Sequence, residues 1–236
     1  MLPARMPFIE PEGDRCITVR YGGGLTEETV LRCLELAGRI ERATLPGVLD
    51  VVPGFTTVSV HYDPRALAPS PYRVLAEALQ AIIQSGAASM SFASRDIEVP
   101  VCYDAEHGFD LPFLAHACGL EREEFIALHL SAPLRVFALG FAPGLPYMGL
   151  HDERLSVPRR DIPRASVPGG SVAVANRQSV IYPDATPGGW HVIGAMPIPL
   201  FDPSRPPYAF LLPGDRVHFR RISPEEYEEL KHESAR

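Results

Sequence analysis

The chain has 236 residues, 46% hydrophobic and 22% charged, and carries a net charge of −7 from 22 basic and 29 acidic side chains. That balance excludes a disordered tail protein, and an acidic chain without a basic stripe is a poor partner for nucleic acid. No apolar run reaches the ~18 residues of a spanning helix, and the first 20 residues lack the apolar core of a signal peptide, so no membrane association is expected and the expected location is cytoplasmic.

Residues 1–92 read as one small α+β unit. Arg15–Tyr21 alternates Ile17, Val19 and Tyr21, the period of a half-buried strand, and Gly22-Gly23-Gly24 breaks it. Thr26 then offers an N-cap, with Glu27 and Glu28 where the helix dipole favours acids. Val30, Leu34, Ala37 and Ile40 recur at helical spacing, and this helix should stop before Pro46. Gly47–Val52 and Thr56–Tyr62 read as strands around a Pro53-Gly54 turn. Pro71 opens a second helix with Val74, Leu75, Leu79, Ile82 and Ile83 on its apolar face, and Gly86 suits its C-terminal cap. Ser89–Phe92 is the expected closing strand. The order β-α-β-β-α-β is that of a ferredoxin-like split.

Residues 93–236 differ in kind. Arg95–Val101 alternates as a strand, and two short helices follow, over about Asp110–Cys118 and Glu121–Leu130, separated by Gly119. Prolines then crowd the chain: of 25 in all, fourteen lie from Pro133 to Pro213, a density that helices do not tolerate. Short strands are expected at Leu134–Leu139, Ser171–Ala175, Ser179–Tyr182, His191–Ile193, Ala209–Leu212 and Arg216–Arg220, a pattern that suggests a barrel or sandwich. The charged segment Pro224–Arg236 reads as a short terminal helix.

Several chemistries find no support. No phosphate-binding loop of the form G-x-x-x-x-G-K-[ST] occurs, and no lysine follows Gly22–Gly24, which reads as a turn. No G-x-S-x-G elbow is present, and the eight histidines form no H-x-x-x-H or H-x-H pair. Cys16, Cys33, Cys102 and Cys118 stand far apart and read as reduced structural thiols. No metal ligand set and no cofactor are assigned.

The informative stretch is residues 137–202. Gly140–Met148 is a rigid proline- and glycine-fixed loop that either lines a pocket or plugs the barrel mouth. Arg159, Arg160 and Arg164 form a cluster whose forks match carboxylates and phosphates, or which pairs with Asp152, Glu153 and Asp161 at the surface. Pro168-Gly169-Gly170-Ser171 enters a strand, where glycine permits close backbone approach to a ligand or simply a tight turn. Thr186–Trp190 carries the one tryptophan, either as core or as a pocket wall. Gln178 and Tyr182, four positions apart, face the same side of a strand beside it. The candidate substrate-binding residues are therefore Phe141, Pro143, Gly144, Tyr147, Arg164, Gly170, Ser171, Gln178, Tyr182, Gly188, Gly189 and Trp190; no nucleophile is assigned.

These residues resemble the KipI and allophanate-hydrolase-subunit-1 family, which includes one component of bacterial 5-oxoprolinase. The matching segments are the GF-x-PG loop at Gly140–Gly144, PRR and PR at Pro158–Arg160 and Pro163-Arg164, PGGSVAVA at Pro168–Ala175, Q-x-x-IYP at Gln178–Pro183, and PGGW-x-x-IG at Pro187–Gly194. LFD at Leu200–Asp202, PGD at Pro213–Asp215, IEVPVCYD at Ile97–Asp104, FDL at Phe109–Leu111 and GLEREEFIALH at Gly119–His129 also fit, as do Gly13-Asp14 and V-x-V-x-YDP at Val58–Pro64. The resemblance implies a ferredoxin-like domain followed by a cyclophilin-like β-barrel. It implies a KipA-like (PxpC-like) partner and a LamB/YcsF-like (PxpA-like) partner, with which the family opens 5-oxoproline, a small anionic lactam, to glutamate at the expense of ATP. ATP with Mg is thus implied for the complex and not for this chain. An arginine would hold the substrate carboxylate, and Gln178 with glycine-rich backbone the lactam amide. KipI-like inhibition of a sensor histidine kinase is the alternative activity within the resemblance. The chain departs from the common family pattern at Asn176, where glycine is usual, at Val180 in Q-T-G-I-Y-P, and at Ala195 in I-G-R-T-P.

Overall fold

The structure is a computed structural model that describes residues 7–86 and 94–234. The chain divides into two units, Met1–Ala93 and Ser94–Arg236. In the first, β1 (Phe8–Pro11), β2 (Cys16–Arg20), α1 (Glu27–Ala43), β3 (Val48–Pro53), β4 (Thr57–Tyr62) and α2 (Pro71–Gln84) follow in order. The four strands form one antiparallel sheet in the order β1-β2-β4-β3. Thr26 caps α1 as its chemistry predicts, its hydroxyl accepting from the Thr29 amide at 3.1 Å. Ile17, Val19, Val58 and Val60 of the sheet pack against Cys33, Leu36, Ala37 and Ile40 of α1 and Leu75 and Leu79 of α2. Each such buried aliphatic side chain contributes ~1.5–3 kcal/mol.

The strand expected at Ser89–Phe92 lies outside the described residues. Beside β2, the position opposite β4 belongs to β1, a strand too short for alternation to reveal. At that edge Pro11 is tolerated because its missing amide costs no ladder bond.

In the second unit come β5 (Asp96–Cys102), α3 (Leu111–Ala117), α4 (Arg122–Leu130), β6 (Leu134–Leu139), β7 (Pro146–Gly149), β8 (Arg164–Val167), β9 (Ser171–Ala175), β10 (Gln178–Ile181), β11 (Thr186–Gly188), β12 (His191–Ala195), β13 (Arg216–Ile222) and α5 (Pro224–Ser234). Seven of the strands close into a barrel in the order β10-β7-β6-β13-β5-β12-β9, and β8 and β11 pair apart as a two-stranded ribbon. Only β13 and β5 run parallel; the other barrel pairs are antiparallel. The segment expected as a strand at Ala209–Leu212 makes a single bridge, Phe201 to Ala209. Pro199, Pro203, Pro206, Pro207 and Pro213 strip the donors that a ladder there would need.

All seven barrel strands send side chains into one core, including Val99, Val136, Met148, Val172, Ile181, Ile193 and Val217, so that cluster is the barrel interior. Residues on the opposite face of β9 and β10, among them Ala173, Ala175, Val180 and the following Tyr182, join Leu145, Val167, Trp190 and Val192 in a separate cluster on the outer wall. That period-two division of one strand between two environments places the site. Among the described residues no helix is long and apolar enough to cross a membrane.

Candidate functional site

On the inner face of β10, Ser179 is fully buried and meets two histidines that no spacing in the chain singles out. The His129 Nε2 lies 3.1 Å and the His151 Nε2 2.7 Å from its hydroxyl, and the Tyr103 hydroxyl lies 2.8 Å from His129 Nδ1. One proton arrangement satisfies the whole relay: Tyr103 donates to His129, His129 to Ser179, and Ser179 to His151. Burial holds both imidazoles neutral. It pushes His129 well below the usual histidine range and lowers His151 to about 3, the neighbouring His151 adding to the effect on His129 and Arg177 to that on His151. The Ser179 hydroxyl is fully buried as well as shared by both imidazoles, so no substrate reaches it and the group is a structural staple.

The outer face is different. A cavity of about 240 Å³ opens there. Tyr147 of β7 and Val180 and Tyr182 of the β10 segment form its base with Leu145; Pro187, Gly188, Gly189 and Trp190 form one wall; Arg159 and Pro163 form the other; Phe141 stands at the rim. The volume lies below the ~300–1,000 Å³ of drug-sized sites, which suits a small molecule. Trp190 meets Tyr147 edge to face, with centroids 6.0 Å apart. Phe141 is 68% exposed and has a φ of 69°, a left-handed conformation costing a bulky residue ~1–2 kcal/mol. Such strain is retained where a side chain must be aimed, here over the cavity mouth.

Gly188 is obligatory, because a Cβ there would lie 2.4 Å from the Tyr182 hydroxyl. Burial raises the Tyr182 phenol above its ordinary range although a hydrogen bond from the Trp190 backbone favours the phenolate. Tyr182 therefore stays protonated and keeps a donor for the cavity. The wall bearing Arg159 is tied down at two points. The Arg160 amide donates to the Gly189 carbonyl at 2.8 Å, and β8 pairs with β11 from Val167–Thr186 to Arg164–Gly188.

Beneath that wall lies Asp110, at the head of α3. Its carboxylate accepts both arms of the Arg164 guanidinium at 2.8 and 2.7 Å and the Val192 amide at 2.8 Å, while the Asp110 amide donates back to the Val192 carbonyl. Arg160 reaches the same carboxylate at 3.5 Å. Arg164 also lies over the Phe109 ring at 4.7 Å. The three arginines thus divide. Arg160 and Arg164 serve the buried Asp110, whereas Arg159 has no carboxylate partner among the described residues and lies 5.2 Å from the Trp190 ring centroid.

Of the candidates read from the sequence, Phe141, Tyr147, Tyr182, Gly188, Gly189 and Trp190 line the cavity. Arg164 is consumed by Asp110. Gln178 shares the outer face with Tyr182 but packs beside Gly149, and Val180 stands between them. Ser171 is fixed in β9, its carbonyl accepting from the Tyr182 amide, and Gly170 donates to the Tyr182 carbonyl. Gly144 abuts the Leu200 carbonyl and Pro143 lies exposed. Arg159 is legible in the sequence only as part of a cluster, because spacing does not tell which guanidinium is already paired. Of the departures from the family pattern, Val180 lines the cavity; Asn176 (φ 50°) and Arg177 (φ 66°) form the left-handed β9–β10 turn, which asparagine tolerates nearly as well as glycine; and Ala195 packs with Cys102, Ile222 and Tyr227.

A larger cavity of about 810 Å³ lies along Ile198–Phe210 and the end of α5, but its cationic side chains are already engaged, Arg95 with Asp215 and Arg205 facing Asp202, and Glu233 adds a further acid to its lining. A nucleotide triphosphate fits poorly at the glycine run before α1. Thr26 satisfies the helix start, and Glu27 and Glu28 would repel phosphate. No step of ATP chemistry is assigned to these residues. Among the described residues no group of acidic, histidine and cysteine side chains is arranged for a metal ion.

Fold and site together define a two-unit protein whose closed barrel carries an aromatic, cation-edged pocket on its outer wall. The family model for the carboxyltransferase domain, subdomain C and D, matches residues 7–211, and the chain belongs to that family. It is 36% identical over 234 residues to a 5-oxoprolinase subunit of Bacillus subtilis (strain 168), covering 96% of this chain and 97% of that one. Among solved structures, TTHA0988 is similar at 39% identity and a TM-score of 0.76 over 89% of this chain, which spans 40% of TTHA0988. The Kluyveromyces lactis urea carboxylase shares the fold, with a TM-score of 0.77 at 20% identity over 99% of this chain and 24% of that one.

Proposed function

We infer that the chain is the corresponding subunit of an ATP-dependent 5-oxoprolinase, working with a KipA-like and a LamB/YcsF-like subunit to hydrolyse 5-oxoproline, or a lactam of the same shape, to the open amino acid. The observation that carries this reading is the match to the Bacillus subtilis 5-oxoprolinase component along nearly the full length of both chains. In the reaction, water adds to the lactam carbonyl, the ring C–N bond breaks and the nitrogen leaves as an amine, while ATP is cleaved. Among the pocket's polar side chains, Arg159 and Tyr182 suit binding an anion and a carbonyl; neither is a nucleophile beside a base. The nucleotide step is accordingly assigned to the partners, with Mg. Reconstitution tests this. The three purified proteins together should form glutamate from 5-oxoproline only with ATP, and omission of this chain should abolish turnover; no glutamate from the complete set would refute the assignment.

A further inference from the structure

We propose that the outer-wall pocket is a recognition site for a small cyclic carboxylate carrying a ring carbonyl, with Arg159, rather than Arg164 or Gln178, holding the carboxylate and Tyr182 donating to the carbonyl. The proposal rests on the function inferred above for the class of ligand.

First, the arginine cluster is not uniform. Arg164 gives both arms to the buried Asp110, and Arg160, which touches the same carboxylate at 3.5 Å, does not line the cavity. Arg159 has no carboxylate partner among the described residues, in a chain with 29 acidic side chains, and it lines the cavity. Its guanidinium lies above the Trp190 ring. That contact orients the plane and leaves the edge donors free for a bidentate carboxylate.

Second, the Tyr182 hydroxyl faces Gly188 at a distance that only glycine permits, and its ring lines the cavity. The hydroxyl proton is left to donate, and an acceptor such as an amide carbonyl would complete it. Third, the remaining surface is apolar and largely aromatic, with Tyr147, Trp190, Val180 and Leu145 enclosing a space of ring size. A flat ring lies well against such faces, whereas an extended chain or a phosphate cluster does not. Fourth, the wall that carries Arg159 is fastened by the Arg160–Gly189 backbone bond and by Asp110, so the site is pre-formed and needs little ordering on binding.

The chain's one tryptophan lies in this wall, so its emission reports occupancy directly. Titration of the full chain, without partners, with 5-oxoproline should give a saturable change in Trp190 emission, with calorimetry as the independent readout. Arg159→Gln should weaken binding by about tenfold to a hundredfold, as expected for the loss of a charge-assisted pair, and Tyr182→Phe by about fivefold. 2-Pyrrolidinone, which lacks the carboxylate, should bind the parent chain and Arg159→Gln equally. Arg159 is an exposed side chain, so this variant folds. Absence of both an emission change and heat up to concentrations on the order of 10 mM, or equal affinity of Arg159→Gln for 5-oxoproline, would overturn the proposal. Failure here is separable from failure of the inferred function. If the reconstituted complex turns over 5-oxoproline with KM unaffected by Arg159→Gln, the pocket assignment falls while the complex stands. If the chain binds 5-oxoproline through Arg159 but the complex makes no glutamate, the pocket stands alone.

Discussion

Strand β10 presents two faces with opposite chemistry. Inward, Ser179 closes a relay of Tyr103, His129 and His151, fully buried, neutral and hydrogen-bonded end to end. Outward, Val180 and Tyr182 face a cavity edged by a guanidinium without an acidic partner among the described residues and by a phenol with a proton to give. The inner face contains the residue types of a hydrolytic triad and the outer face does not. Yet the inner groups have spent their hydrogen-bonding capacity on each other. A site is marked by capacity left over at a surface that a ligand can reach, not by which residue types lie close together.

This contrast can be broken experimentally from the structural side first. Asp110→Ala strips Arg164 and the Val192 amide of their partner at once, and breaking a buried ion pair from one side typically costs about 3–5 kcal/mol. Guanidinium unfolding followed at Trp190, which reports the barrel unit, should show that loss, and a change below about 1 kcal/mol would mean that Asp110 is not what fastens the wall. Acid probes the inner face. An unfolded histidine titrates near ~6.5, and burial holds His129 and His151 below that, so protons favour the unfolded chain. The stability contributed is complete above that value and falls away as pH drops towards the folded pKa of about 3 for His151. At pH 5 the loss relative to pH 8 is about 2 kcal/mol from His151, with His129 adding to it in the same direction, and a chain equally stable at both pH values would contradict the neutral relay. Ser179→Ala orphans two buried imidazole nitrogens and should cost about 1–3 kcal/mol in the same assay while leaving 5-oxoproline binding unchanged. Arg159→Gln should do the reverse, altering stability by no more than about 0.5 kcal/mol while weakening binding.

How much of this is legible in the sequence varies with the range of the interaction. Local chemistry is readable: Thr26 caps α1, the apolar periods of α1 and α2 mark their buried faces, and the proline-rich stretch from Pro133 to Pro213 is built mostly of strands and loops. The aromatic and glycine residues of the pocket are readable because Tyr182, Gly188, Gly189 and Trp190 lie close in sequence, and the period of two gives their facing. What escapes depends on distant partners. Asp110 is 54 residues from Arg164, and only the fold shows that it takes up that arginine and leaves Arg159. The histidine relay joins positions 103, 129, 151 and 179, with no fixed spacing to betray it. The short strands β1, β7, β8 and β11, of three or four residues and partly proline, fall below the length at which alternation carries information.

The claim that leftover hydrogen-bonding capacity on the outer wall, and not the triad-like group within the barrel, marks the site is tested most directly by a crystal structure of the chain soaked with 5-oxoproline. The carboxylate should lie on the Arg159 guanidinium and the ring against Trp190, with Ser179 and both histidines unmoved. Ligand density inside the barrel beside Ser179, or in the groove along Ile198–Phe210 with the outer pocket empty, would contradict the account.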